Sequence, residues 1–368
     1  MAALTKKLSP IDDEAFPSKY HPLFQSPEAD IVLRSSDGIY FRLYSYTLRT
    51  TSGWFHDMFS LPQCAPSTSN SPYLHQNESW SGSQSTLASE TTIAETEEIP
   101  TNETSEVLAI FFLLLAGRPA PKGPLYNWGN FDLIERVLTL AENWDAPGPI
   151  SHIRAGIIST ELLERDPLRV YAIACHFEWE MERQLAAKHT LQLDLFRRGG
   201  YSEEESVDGQ ASYTGNQITL ASLSSRDLLY LLRLRQHRRD VFRRLLESPA
   251  RFSAGNSDEF FCSRCGVTKL DNQSWRALKD ALMLEMDRRP LGHRILGKEV
   301  DGISGKTADS KGSGGVLCWP EAQPCWEATC SREGCGSLNY DRIATLKQLR
   351  ICIESLPFDL ETEQKVYE

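Results

Sequence analysis

Hydrophobic and polar positions are patterned most clearly from Ala29 to Leu61, ADIVLRSSDGIYFRLYSYTLRTTSGWFHDMFSL. Ile31, Val32 and Leu33 predict a strand within Ala29–Arg34. Asp37-Gly38 predicts a two-residue hairpin turn, in which both central residues take positive φ. Ile39, Phe41 and Leu43 then share one face of a second strand, with Tyr40, Arg42 and Tyr44 on the other. Thr51 or Ser52 caps a helix whose apolar side is Trp54, Phe55, Met58 and Phe59. Glu98 to Thr101 reads as a short strand. Phe131 to Trp144 reads as an amphipathic helix with Phe131, Ile134, Val137, Leu138 and Ala141 on one side, ended by Asp145-Ala146-Pro147.

As an ensemble these residues resemble the start of a BTB/POZ domain, in the style of the fungal, basidiomycete-like BTB proteins. The likeness rests on Ala29-Asp30-Ile31, on Phe41-Arg42-Leu43-Tyr44-Ser45 and on Ser52-Gly53-Trp54-Phe55-His56-Asp57-Met58-Phe59. Tyr44 stands where that family usually has His, and Ser45 where it often has Lys or Arg. Ser105 to Gly117, SEVLAIFFLLLAG, is similar to the family's strand-helix segment ending in Gly. The resemblance covers about 24–150 and, more weakly, the helices to about 195. It implies self-association or recruitment of a protein partner, with roles as a ubiquitin-ligase adaptor or in transcription among those open to such domains.

Beyond this region, 151–197 reads as a helical extension. One stripe is Ile153, Ile157 and Leu162. A second, after Asp166-Pro167, is Val170, Ala174, Phe177, Met181 and Leu185. Residues 198–217 read as a linker. Ser224 or Ser225 caps a long helix within 218–250, with Leu228, Leu231, Leu232, Phe242, Leu245 and Leu246 on its apolar side. Arg233, Arg235, Arg238, Arg239, Arg243 and Arg244 fall on the other. That side is either a solvated face or a contact surface for an acidic partner or nucleic-acid phosphate.

Residues 65–96 are rich in Ser, Thr, Asn and Glu and read as a disordered insertion in the 21–150 domain, or as a phosphorylation-rich loop. Residues 1–20 and 357–368 read as polar tails. With 368 residues the chain is long enough for two domains, and its charge of −11 disfavours broad nucleic-acid binding. The longest apolar run, Val107–Ala116, is too short to span a membrane, and no signal-peptide pattern opens the chain. The expected compartment is therefore cytoplasmic or nuclear, where the nine cysteines are thiols or metal ligands and not disulfides.

The cysteines concentrate in 251–356. Cys262 and Cys265 form a C-x-x-C knuckle followed by Gly266, and Cys330 and Cys335 form a C-x4-C pair. Two short-spaced pairs are what a tetrahedral structural Zn²⁺ requires. Cys325, Cys318 and His293 are alternates. The competing readings are reduced cysteines scattered through a small core, or a redox dithiol. Cys64, Cys175 and Cys352 read as small buried residues. Gln273 to about Arg288 predicts a helix stopped before Pro290, and Asp301–Gly315 a flexible run.

Catalytic signatures are missing. Gly305-Lys306-Thr307 lacks the leading Gly of a phosphate loop, which is Val300 here. His176, Glu178 and Glu180 do not match HExxH, and no nucleophile elbow or dinucleotide fingerprint occurs. The sequence thus predicts an α+β chain: a BTB/POZ-like domain of short strands and clustered helices, a helical extension, and a small cysteine-rich, mainly irregular and α C-terminal region. The expected function is a non-enzymatic protein–protein adaptor without small-molecule substrate or membrane contact. The alternative is a nucleic-acid-associated regulator using the Arg-rich helix and a zinc knuckle.

Overall fold

The computed structural model describes residues 19–61, 98–118, 130–195 except 160–161, 216–297 except 258, and 315–360. The expected insertion at 65–96, most of the tails and the linker, most of the 301–315 run and Cys64 lie outside these residues. The chain is mixed α+β and divides into two compact units, Met1–Ser159 and Thr160–Glu368.

In the first unit, β1 (Ile31–Arg34) pairs antiparallel with β2 (Tyr40–Leu43) and parallel with β3 (Glu98–Pro100), in the order β2-β1-β3. The hairpin departs from the expected two-residue turn. The Gly38 amide donates to Ser35 O at 3.1 Å and the Ser35 amide to Ile39 O at 2.9 Å, enclosing Ser36, Asp37 and Gly38. Gly38 alone in that loop has positive φ, 83°, as in a three-residue loop ending on a left-handed Gly. Asp37 is occupied elsewhere: its carboxylate accepts from the Ser105 amide at 3.0 Å and the Ser105 hydroxyl at 2.6 Å. Ser105 opens α3 (Ser105–Leu115).

Asp30 does the same for a helix that the sequence pattern did not reveal. Helix α1 (Ser45–Thr51) buries only Leu48, too little to register as a periodic stripe. Asp30 accepts from both the amide and the hydroxyl of Ser45 at its start. Helix α2 (Gly53–Ser60) begins as expected, with the Ser52 hydroxyl accepting from the Phe55 amide at 3.3 Å.

Every residue of α3 from Val107 to Leu115 is buried. The segment 105–115 is one continuous helix, without the strand that the family likeness implied. A short apolar run cannot itself distinguish a buried strand from a buried helix; here packing on all sides selects the helix. Trp144 lies 5.1 Å from the rings of both Phe55 and Phe111 and stacks on Trp54 at 5.7 Å. It follows α4 (Phe131–Asn143), which Asn130 caps by accepting from the Leu133 amide. Asp145 then takes φ 44°, and Pro147 opens α5 (Pro147–Ser159), which packs on α3 and α4. Pro147 thus starts a helix, where its missing amide costs nothing, and 151–159 belong to the first unit.

The second unit begins with α6 (Leu162–Arg165), α7 (Pro167–His176) and α8 (Glu180–Thr190). The single stripe through Val170 and Met181 is broken. Glu178 takes φ 55°, α8 folds back on α7, and Met181 is left 71% exposed. Trp179 fills the corner, 5% exposed and stacked on Phe177. Helices α9 (Ser225–Glu247), α10 (Gln273–Arg288) and α11 (Arg342–Glu354) follow. Phe242, Leu246, Trp275, Leu278, Leu282 and Ile353 share one core. No helix among the described residues is long and apolar enough to cross a membrane.

The arginine face of α9 is where expectation and structure differ most. Arg235 and Arg238 are buried. Arg235 donates to Thr190 O, Leu193 O and Arg288 O at 3.1, 2.9 and 2.7 Å. Arg238 donates to Pro290 O, Leu356 O and Pro357 O at 2.9, 3.1 and 2.6 Å, beneath the ring of Phe358. Burial lowers Arg235 to about 10 and Arg238 to about 9, so both stay charged at neutral pH. Spacing carried the signal: Leu231, Arg235, Arg238, Phe242 and Leu246 recur every three or four residues and form one stripe.

Candidate metal centre

Two short hairpins converge in the second unit. In the first, Phe261 bridges Lys269, the Cys262 amide donates to Thr268 O at 2.9 Å, and the Gly266 amide to Cys262 O at 2.8 Å. In the second, Thr329 bridges Leu338, the Cys330 amide donates to Ser337 O at 2.8 Å, and the Cys335 amide to Arg332 O at 3.0 Å. Gly266 and Gly336, each directly after the second cysteine of its pair, have φ of 63° and 54°. A side chain there would strain the backbone that turns beneath the sulfurs. Arg264 ties the hairpins together by donating to Cys335 O at 3.1 Å.

The sulfurs of Cys262, Cys265, Cys330 and Cys335 all lie within 4.8 Å of one another. Cys262 Sγ is 3.8 Å from Cys335 Sγ, and Cys265 Sγ is 3.8 Å from Cys330 Sγ. These are far from bonded sulfur contacts, and all four residues are free thiols. A tetrahedron with metal–sulfur bonds of about 2.3 Å has edges of about 3.8 Å. The cluster therefore has the dimensions of a four-thiolate metal site.

Electrostatics point the same way. Amides of Val267 and Thr268, then the Thr268 hydroxyl, pull Cys265 down to about 5. Amides of Cys265 and Arg264 lower Cys262. The Ser337 amide also lowers Cys335, but burial and three neighbouring sulfurs outweigh it and carry that thiol up to about 11. Neighbouring sulfurs thus oppose ionisation of Cys335, and a dication at the centre of the cluster would remove that opposition.

The alternates are not brought in. Among the described residues the four-cysteine group excludes Cys318, Cys325 and His293. Cys325 is fully buried in the larger core, where burial raises its thiol to about 12. Cys318 is exposed on a turn. Burial, then Arg289 and Arg294, lower His293 to about 4, so it is neutral at physiological pH. Cys352 is buried in the same core as Cys325, whereas Cys175 is only half-buried. Gly305-Lys306-Thr307 lies outside the described residues.

The centre is anchored to the unit by Tyr340. Its hydroxyl donates to Asp271 O at 3.3 Å, and its ring stacks on Trp275. Asp341 then caps α11, accepting from the amides of Ile343 and Ala344. Set against family models, curated proteins and solved structures, the chain matches none.

Proposed function

We propose that the chain is a non-enzymatic interaction protein, with a BTB/POZ-like first unit that self-associates or recruits a protein partner. The observation that carries this reading is the exposure of large apolar side chains on and just after the first two helices. Tyr46 is 78%, Leu61 64% and Trp54 40% exposed there, in a unit otherwise well supplied with buried apolar side chains. The three-stranded β2-β1-β3 sheet followed by α3, α4 and α5 supports the family likeness. Asp30 is committed to the start of α1, which argues for recognition by shape and apolar contact rather than by a charged pocket at that residue. Light scattering on the full chain, with Tyr46→Arg as the comparison, tests this. Expected is a concentration-dependent assembly or captured partner that Tyr46→Arg removes. A monomer that captures nothing sinks the reading.

In the second unit we propose structural Zn²⁺ on Cys262, Cys265, Cys330 and Cys335, supported by the 3.8 Å sulfur spacing. Four protein ligands leave no position for water or substrate, so the ion would hold the hairpins together and not catalyse. Elemental analysis after native purification should find one zinc per chain, lost in Cys330→Ser. Its absence from the unsubstituted protein would end the proposal.

A further inference from the structure

The burial of Arg235 and Arg238 leaves a different set of cations on the surface of the second unit. A groove of about 680 Å³ runs between α9 and α10, a size in the usual range for ligand sites, roughly 300–1,000 Å³. Met283 and Leu284, the latter 53% exposed, give it an apolar rim above the buried Leu246. Arg243 comes from one wall and Arg276 from the other. Lys279 is held by Asn256 at 3.0 Å, and Arg239 by Asp287 at 3.0 Å and by Asp240. Arg243 and Arg276 are exposed and have no hydrogen-bond or ion-pair partner among the described residues.

Glu247 and Asp280 also line the groove, so its own side chains nearly balance. The helix that forms one wall adds to the positive side of that balance. Helix α9 carries seven arginines against three acids in a chain of net charge −11. Arg238 has no carboxylate partner among the described residues to cancel its buried charge. From Arg239 to Glu247 the wall is about 12 Å long, two helical turns.

We propose that this groove docks an acidic amphipathic segment of a protein partner. Its apolar side would rest on Leu284 and the accessible part of Met283, and its carboxylates would reach the planar forks of Arg243 and Arg276. A third helix laid across an antiparallel pair presents one stripe to such a rim, which fits the length of the wall. This site is independent of the self-association proposed for the first unit.

The test uses the full chain and a fluorescein-labelled helical peptide with leucines at spacings of three and four and glutamates elsewhere, read by anisotropy at low salt. The unsubstituted protein binds it, and the combined Arg243→Glu and Arg276→Glu variant weakens binding roughly tenfold or more. Arg243→Lys with Arg276→Lys retains part of the affinity, and zinc content is the same in all three proteins. Undetectable binding, equal binding by the charge-reversed protein, or equal binding of a scrambled peptide of the same composition overturns the proposal. So does a single-stranded RNA oligonucleotide whose binding depends on both arginines when the peptide's does not; the occupant would then be nucleic acid.

Discussion

Helix α3 of the first unit buries nine consecutive apolar side chains, whereas α9, the longest helix among the described residues of the second, buries two arginines among its leucines. In the first unit an aromatic cluster around Trp144 fills the centre, the buried polar side chains among the described residues are the uncharged Ser35 and Ser52, and the partly exposed Asp30 and Asp37 hold the starts of α1 and α3. In the second unit charged groups sit inside as well. Two guanidiniums gather carbonyls from the end of α8, the end of α10 and the C-terminal residues 356–357. Four sulfurs gather hairpins 65 to 73 residues apart in sequence. Apolar burial is tolerant of small errors because it is non-directional. Guanidinium and metal sites demand several partners at once, so the second unit should fail abruptly when one is removed.

The largest expected effect is on the metal centre. Structural zinc in small domains is worth roughly 10–16 kcal/mol at neutral pH. Chelation should erase hydrogen-exchange protection at the Cys262, Gly266, Cys330 and Cys335 amides and leave the amides of α3 protected. Equal loss in both units would break the comparison. Next is Arg238→Met, which strands three carbonyls; each unsatisfied buried acceptor costs about 1–3 kcal/mol, so a loss of roughly 3 kcal/mol or more is expected in urea denaturation. Arg243→Met, on the exposed side of the same helix, should stay within about 0.5 kcal/mol. Similar costs for the two would contradict the buried-clamp account.

Acid should also separate the units. The unfolded chain protonates His293 below its ordinary value of 6.5, but the folded chain does so only near 4. The unfolded state therefore binds more protons in that window, and stability of the second unit falls as pH drops through it. His293→Phe should flatten that slope in pH-dependent denaturation. In the first unit a Cβ at residue 53 would land on the Asp145 carboxylate. Gly53→Ala should cost about 1–3 kcal/mol, read as a lowered melting temperature.

The smallest effect sharpens the role of the two hairpin aspartates. Partial burial raises both carboxyls, but hydrogen bonds from Ser45 to Asp30 and from Ser105 and Ser35 to Asp37 outweigh it and leave both below the ordinary value of 3.8. Their contribution is complete above 3.8 and disappears as pH falls through their lower folded values. Asp30→Ala and Asp37→Ala should each cost about 1 kcal/mol at neutral pH, as loss of a helix cap does. Unchanged thermal stability in both would show that neither helix depends on its aspartate.

Much of the fold was legible residue by residue. The β1–β2 pair, β3, the Ser52 cap, α4, Pro167 opening α7, the Ser224 cap of α9 and the end of α10 before Pro290 all follow from local periodicity or capping. The misses share a cause. Helix α1 has too small an apolar face to read, Glu178 breaks a stripe for the sake of Trp179, and Arg235 and Arg238 were assigned by charge although their spacing placed them with the leucines. In the candidate site the two short-spaced cysteine pairs marked the ligand set, and the alternates Cys318, Cys325 and His293 stay outside the cluster among the described residues.

What the sequence determined alone is what neighbouring residues impose on one another: strand and helix periods, caps, and the Gly266 turn beneath its cysteines. What only the tertiary structure decided is which distant groups face each other. A thiol joins the cluster or the apolar core according to how the hairpins close. An arginine is a surface charge or a clamp according to whether carbonyls from other segments stand within 3.1 Å of it. Desolvation and hydrogen bonding act through space, and no local pattern encodes them.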